Sequence, residues 1–241
     1  NLEADTFKNE LNRDLLLDGD TLASTTYLDS IDRHIATTAA DVTGCGWTAG
    51  DEDPWALLDR SDTGAGADNE NSWADAQVSH GGSAGTETDR EFSLSYVDTI
   101  MASCMPYWDG GSMNNKVFLT GYDTTFDWSQ EMLPAQRLDV TRVKTGTNGV
   151  QAVGNTDTGL IVNAYNGIPI IQSNNVAQDT KSRIYLMDLD YMSLDLLKPL
   201  TYYESDDYQL VGAFKRQGVF HMEGELMTYK FQGQGKVRGL K

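Results

Sequence analysis

Few residues of this 241-residue chain have the types and spacing that catalysis requires. The run His-Met-Glu at 221–223 has the His-x-Glu order that begins a zinc deaminase signature, but no Pro-Cys-x-x-Cys follows it. The run lies in alternating sequence, which is typical of a β-strand. The run Gly-Gln-Gly-Lys at 233–236 lacks the spacing and the Ser or Thr of a phosphate-binding loop. No catalytic residue is therefore predicted, and the chain is not expected to be an enzyme.

Acidic clusters at 18–20, 51–53 and 188–190 are candidates for cation binding, because hard cations prefer carboxylate oxygens. None of them has the twelve-residue calcium-loop pattern with its central Gly and final Glu. Asp188 and Asp190 are interpreted as shaping a turn between two strands through bonds from side chain to backbone. We predict no metal site and no cofactor, apart from adventitious divalent cations at the acidic clusters.

The charge of the chain is concentrated in its first half. Residues 1–110 contain 22 acidic and 5 basic side chains, a net of −17, whereas residues 111–241 have a net of −1. This acidity is typical of a protein adapted to high salt, where screening weakens repulsion between carboxylates, although an acidic solvated loop in an ordinary protein would look the same. Direct nucleic-acid binding is disfavoured, because a phosphate backbone requires a basic surface.

Other classes are limited by apolar content and cysteine count. No apolar run approaches the roughly 20 residues that span a bilayer. Cys45 and Cys104 lie in different predicted elements, so two reduced or buried thiols are favoured over a disulfide.

The N-terminal third combines a helix with a long polar segment. Residues 1–17 predict an amphipathic helix capped by Asp5, whose apolar stripe requires a partner surface. Residues 18–86 are rich in Asp, Gly, Ser and Thr, with scattered aromatic residues. These aromatic residues favour an ordered arm with contacts elsewhere, on another subunit among the options, and the alternative is disorder, mainly at 61–86. The stripe and the tryptophans of this region are Phe7, Leu11, Leu15, Trp47, Trp55 and Trp73.

The remaining sequence predicts an α+β fold with an antiparallel bias. Residues 95–104 predict a helix with a capping box of Ser95 and Asp98, and Pro106 should kink or end it. The double Gly at 110–111 then allows a reversal, followed by a buried strand at 116–120 and a helix at 123–133. Short strands are predicted at 149–153, 159–165, 168–172 and 209–214, with a strand-turn-strand at 183–197. Alternation at 218–231 predicts a further strand, with Gly224 as a bulge or bend.

This order of elements resembles the major capsid proteins of tailed double-stranded DNA viruses, which have the Hong Kong 97-like fold. Those proteins place an N-terminal arm and an extended loop before a spine helix, a Gly-containing turn, a strand and a short helix. The chain then returns through a strand-turn-strand with a Leu-Asp-x-Asp pattern. The resemblance covers 95–241 and implies a spine helix at 95–108, and residues 1–94 are assigned by elimination.

The resemblance implies a domain division. It gives an N-terminal arm at 1–24, an extended acidic loop at 25–86, a peripheral domain with the spine helix at 87–137, an axial domain at 138–182 and returning strands at 183–241. The absence of a Met before Asn1 fits the maturation cleavage that the family implies.

The resemblance also implies a function in assembly. The chain is expected to form pentamers and hexamers of an icosahedral shell around double-stranded DNA, without sequence-specific contact to the DNA and without a membrane. Minor or decoration capsid proteins are possible further partners. The location is the virion, after assembly in the host cytoplasm, and the acidity resembles that of a haloarchaeal virus.

Within such a shell, the six apolar residues of the N-terminal third are candidates for subunit contacts, although local burial of the tryptophans is the alternative. Two other functions stay open. A nanocompartment shell of the same fold would keep its initiating Met. A secreted acidic adhesin or sugar-binding β-protein would be a monomer without a spine helix.

Overall fold

The computed structural model describes residues 2–16, 30–36, 73, 75–83, 86–87, 89–132, 144–146, 149–151, 163–205 and 217–241. The α-helices in these ranges are α1 (Leu2–Leu15), α2 (Ile31–His34), α3 (Leu94–Cys104) and α4 (Tyr122–Met132), and two short 3₁₀ helices follow α3 at Met105–Tyr107 and Asp109–Gly111. The strands are β1 (Gln77–Ser79), β2 (Gly82–Ser83), β3 (Thr86–Glu87), β4 (Lys116–Thr120), β5 (Lys144–Gly146), β6 (Gly149–Gln151), β7 (Asn163–Tyr165), β8 (Ile168–Gln172), β9 (Ile184–Asp188), β10 (Met192–Ser205), β11 (Gln217–Thr228) and β12 (Gly235–Val237). The predicted α+β class is confirmed.

Six of these strands form a mixed sheet in the order β1-β12-β9-β4-β8-β7. The pairs β1–β12 and β4–β8 are parallel, and the other neighbours are antiparallel. Every residue of β4 and β9 is buried. This two-sided burial explains why both strands are continuous apolar runs in the sequence, because neither presents a face to water.

Successive side chains of these strands point to opposite faces of the sheet, so each face has its own core. On one face, Phe118, Ile184 and Leu186 pack in a cluster that includes residues of α3 and Trp128 of α4. On the other face, Tyr185 and Met187 pack in a second cluster with residues from the N-terminal third. The second cluster also contains Leu16, Ile35, Ala76, Val117, Leu119 and Val176.

Helix α3 agrees with its predicted position, but its cap and its end differ from the prediction. Ser93, not Ser95, is the cap: its backbone is extended and its side chain accepts a bond from the Ser95 N–H, which is already helical. The helix ends at Cys104 and not at 108, since the ring of Pro106 cannot continue it. Gly110 and Gly111 then have φ of 61° and 67°, which confirms the predicted reversal.

The N-terminal third contributes to the sheet and its packing. The predicted first helix is confirmed as α1, although Asp5 lies inside it and does not cap it, because the helix already begins at Leu2. Residues 25–86, predicted as an extended loop, contain α2 and strand β1 of the sheet. The sheet takes strands from four of the five predicted segments, so it does not follow their boundaries. The division into domains stays a prediction.

Strands β10 and β11 form a long two-stranded antiparallel ribbon, called the ribbon below. With 14 residues, β10 is roughly 45 Å long if fully extended. The register shifts between Leu196 and Lys198, so a bulge lies next to Gly224 as predicted, but its extra residue is Leu197 on β10 and not Gly224 itself. It shifts again beside Pro199, whose nitrogen cannot donate to a ladder. The predicted strand at 209–214 lies outside the described residues.

We expect Gly235→Ala to destabilise the fold by about 1–3 kcal/mol, the usual cost of overpacking a core. An added Cβ on β12 would lie 2.4 Å from Ile100 Cγ2 and 3.0 Å from Cys104 Sγ, so α3 would have to move. Gly233→Ala is the matched control, because its Cβ would meet nothing closer than 3.5 Å. Urea unfolding of both variants tests this, and equal losses for the two would contradict the packing of α3 on β12.

Candidate functional site

The motifs that could support chemistry are parts of surface ion pairs, short strands and turns in this structure. Among the residues that the structure describes, no group of three or more His, Cys, Asp or Glu side chains could hold a metal ion. His221 Nε2 lies 3.3 Å from Glu223 Oε1, and both side chains are well exposed on the ribbon. Lys198 donates a hydrogen bond to the same Glu223 oxygen at 2.8 Å, which lowers the pKa of Glu223 and raises that of Lys198. The His-x-Glu run is thus part of a surface ion-pair group.

Residues 81–85 have the Gly-x-Ser-x-Gly order of a nucleophile elbow. The elbow requires a turn from a strand into a helix. Here Ser83 ends β2, which pairs antiparallel with β3 in a short hairpin. The order therefore occurs without the backbone that would present the serine as a nucleophile.

The described residues contain a buried ionic cluster centred on Asp32, called the Asp32 cluster below. Arg183 Nη1 lies 2.7 Å from Asp32 Oδ2, and Tyr185 donates its hydroxyl to Asp32 Oδ1 at 2.7 Å. Lys236 Nζ lies 3.3 Å from Asp32 Oδ1 and 3.2 Å from the Asp32 backbone oxygen. All four residues are at most 1% exposed. The Asp32 carboxylate thus lies against two cations that have been removed from water.

A second carboxylate completes the surroundings of Arg183. Asp179 Oδ1 accepts bonds from Arg183 Nη2 at 2.7 Å and from Arg183 Nε at 3.1 Å. Burial alone would lower the pKa of Arg183, but Asp32 and Asp179 raise it, so the guanidinium stays charged. Asp179 Oδ2 also accepts the Gly239 N–H at 2.6 Å. The cluster therefore joins the N-terminal segment, the approach to β9 and the end of the chain.

Sequence reasoning missed Asp32, which lies in a polar segment predicted as a loop. Its partners Arg183 and Lys236 are 151 and 204 residues away. The local signal was limited to Ser30, whose side chain caps α2 by accepting the Arg33 N–H. That signal predicts a helical turn, but it contains nothing about burial.

The acidic turn after β9 has the structural role that the sequence predicted. Asp188 Oδ1 accepts the Asp190 backbone N–H at 3.1 Å, which confirms the turn-forming bond. Asp188 is fully buried and pairs with Lys116 Nζ at 2.7 Å, and Asp190 lies 3.6 Å from the same nitrogen. The turn is thus fixed to β4 by an ion pair.

Cys104 is a buried free thiol, as expected from the sequence. Burial raises its pKa, and the nearby charge of Asp188 raises it further, so the thiol stays protonated. Cys45 lies outside the described residues.

Four of the six candidate contact residues are described, and Trp47 and Trp55 lie outside the described residues. Phe7, Leu11 and Leu15 are half-buried on α1, and the Phe7 ring lies 5.9 Å from the Phe220 ring of the ribbon. Trp73 is 47% exposed, and its ring lies 6.1 Å from that of Phe231. Phe7 and Trp73 therefore contact their own chain, and a contact with a neighbouring copy stays a prediction.

Exposed apolar side chains are concentrated on the ribbon. They are Leu196, Leu197, Leu200, Tyr202 and Tyr203, with Tyr229 just beyond its end. A smaller patch lies on α4, where Tyr122 and Phe126 are 61% and 63% exposed and one helical turn apart. Groups of exposed large apolar residues mark interaction surfaces more often than single ones do. No described helix is long and apolar enough to cross a membrane.

Comparisons with known proteins give only distant similarities. No family model matches the chain, and no curated protein matches it. A solved structure from Mycobacterium phage Che8 matches with a TM-score of 0.42 and 13% identity, covering 68% of this chain and 53% of that one. A structure of the satellite phage P4 procapsid including size determination (Sid) protein matches with a TM-score of 0.42 and 10% identity, covering 87% and 58%. The chain thus spans between half and three fifths of the chains it matches, and these scores are too low to establish a shared fold.

We expect Asp32→Asn to reduce the free energy of unfolding by roughly 3–5 kcal/mol, because it removes the carboxylate charge that lies against the buried side chains of Arg183 and Lys236. Asp190→Asn is the control: that side chain is 49% exposed, and Lys116 keeps its bond to Asp188. Its expected cost is at most about 1 kcal/mol. Denaturant melts of both proteins measure the difference, and a loss below about 1 kcal/mol for Asp32→Asn would show that the cluster does not hold the fold together.

Proposed function

We propose that this chain is a major capsid protein of a tailed double-stranded DNA virus, with a Hong Kong 97-like fold. The observation that supports this most is the order of elements along the chain. A helix (α3), a double-Gly reversal, a buried strand (β4) and a short helix (α4) are followed by the returning β9, its acidic turn and β10. Such an order is a pattern of element types and is rarely obtained by chance.

The proposed role is structural and not catalytic, with no cofactor. Copies of the chain form pentamers and hexamers of a closed shell, and closed symmetry lets one sequence supply all the contacts. The shell encloses the viral genome without sequence-specific contact to DNA, together with any minor or decoration proteins. The proposed location is the virion, after assembly in the host cytoplasm.

We also propose that the shell is adapted to high salt, as in a virus of a halophilic archaeon. The support is the net charge of −17 on residues 1–110. At 1 M salt the Debye length is about 3 Å, so carboxylates on adjacent copies hardly repel one another. At 0.1 M it is about 10 Å, and repulsion reaches across an interface.

Negative-stain electron microscopy of the purified chain in molar salt tests the proposed function. We expect uniform closed particles with icosahedral outlines. A monomer at every protein concentration, with no particles, would contradict a capsid function and would favour a secreted acidic binding protein. Particles that contain cargo protein and never nucleic acid in the native host would instead indicate a nanocompartment.

Lowering the salt concentration should dissociate the particles, most strongly when divalent cations are absent. We expect light scattering to fall as salt is diluted from molar to below about 0.1 M, because the Debye length then rises to about 10 Å or more and repulsion between carboxylates of adjacent copies is no longer screened. Dilution of the protein at constant molar salt is the control and should leave the scattering per molecule unchanged. Particles that remain intact throughout the salt dilution would refute adaptation to high salt.

A further inference from the structure

The part of the ribbon beyond its first bulge, residues 196–205 and 217–224, is called the outer ribbon here. Leu197 is 82% exposed, Tyr203 is 54% exposed, and Tyr202 is 49% exposed. The inner end of the ribbon is different: Leu226 and Thr228 are buried. Apolar exposure therefore increases from the body of the protein toward the outer ribbon.

A two-stranded ribbon of this kind needs a further packing partner, because two strands alone are at best marginally stable in water. One face of the outer ribbon has such a partner. Tyr202 and Phe220 are cross-strand neighbours with rings 5.0 Å apart, and Phe7 of α1 packs against Phe220. Tyr203 follows Tyr202 and therefore points to the opposite face.

The opposite face has little apolar cover among the described residues. There the Tyr203 ring lies 6.2 Å from the ring of His221, which is itself 43% exposed. Helix α1 cannot cover both faces of the ribbon at once. Among the described residues, exposed apolar side chains of the outer ribbon therefore remain available for a further contact.

The exposed area is large enough for an interface between copies. An aromatic side chain offers roughly 150–250 Å². The five large side chains of the outer ribbon, exposed by 41–82% and including Tyr202 and Tyr203 on opposite faces, then present on the order of 500 Å². A contact between two surfaces of this size would bury about 1,000 Å², the lower limit for a specific interface.

The charge of the outer ribbon also suits contact with another copy. Two copies that each carry −18 repel one another unless they meet through surfaces of low charge. The outer ribbon carries a formal net charge of only −1, from Lys198, Glu204 and Glu223. Lys198 and Glu223 already neutralise each other at 2.8 Å. A cationic partner, by contrast, would find few carboxylates here.

A second copy can offer apolar surface for this contact in two places. One is its own outer ribbon, which would give a reciprocal interface. The other is the patch of Tyr122 and Phe126 on α4, which would give a head-to-tail contact. Helix α4 packs through Trp128 on the sheet face of Phe118, whereas Met192 at the ribbon base packs on the other face. Helix α4 and the base of the ribbon therefore lie on opposite faces of the sheet of one copy.

We propose that the outer ribbon docks onto a second copy of this chain. This inference rests on the proposed function and identifies the surface through which copies of the capsid protein meet. The contact is made by the exposed apolar side chains of the outer ribbon, Leu197, Leu200 and Tyr203 among them.

The test compares L197S/L200S with L189S by sedimentation velocity of the full chain in molar salt. Leu189 is the matched control, because it is 45% exposed but lies in the turn before β10. We expect the double variant to raise the protein concentration at half-assembly at least about tenfold, which corresponds to about 1.4 kcal/mol. L189S should assemble like the wild type, and all three proteins should have the same melting temperature, because the altered side chains are exposed.

Each outcome separates this inference from the proposed function. If L197S/L200S forms shells at the same protein concentration as the wild type, the docking surface is wrong and the proposed capsid function is unaffected. If the wild type forms dimers but never shells, and the double variant stays monomeric, the capsid function is contradicted and the docking surface is supported. If L189S weakens assembly as much as the double variant does, the docking surface does not lie on the outer ribbon.

Discussion

The two-sided burial of β9 is the constraint on which the rest of this structure depends. Ile184 and Leu186 point to one face of the sheet, and Tyr185 and Met187 to the other, so the strand is stable only when both faces are covered. Helices α3 and α4 cover the first face. The second is covered by parts of the N-terminal third, including Leu16 and Ile35, and by the base of the ribbon at Met192. The polar N-terminal sequence is therefore needed for the fold of the body, in addition to any contact it makes with other copies.

Covering the second face brings charge into the interior. Arg183 immediately precedes β9 and Lys236 lies on the adjacent β12, so the sheet itself places two cations beside one another. Asp32 supplies the counter-charge, and its hydrogen bonds to Tyr185 and to both cations offset part of the cost of desolvation. Salt screens this buried cluster far less than it screens the acidic surface. In the proposed shell, salt concentration should therefore act on contacts between copies and not on the fold of each copy.

The elements that sequence analysis predicted well are those specified by local residues. The apolar runs of β4 and β9, the Pro106 stop and the double-Gly reversal each follow from a few neighbouring side chains. Errors arose where two local signals compete, as when Ser93 caps α3 in place of Ser95. The Asp32 cluster could not be predicted, because its members are polar residues whose burial depends on partners more than 150 positions away. The outer ribbon was likewise missed: no strand was predicted over 198–205, where Pro199 and the consecutive Tyr202 and Tyr203 interrupt the alternation typical of a strand.

The central claim is that the sheet is stable within one copy, whereas the outer ribbon is covered by another copy. Hydrogen–deuterium exchange tests this claim most directly, measured on assembled particles and on copies dissociated by low salt. We predict that β9 amides exchange equally slowly in both states, and that amides of 196–205 exchange much faster after dissociation. If the outer ribbon is protected to the same degree in both states, or if β9 is protected only in the assembled particle, the account is contradicted.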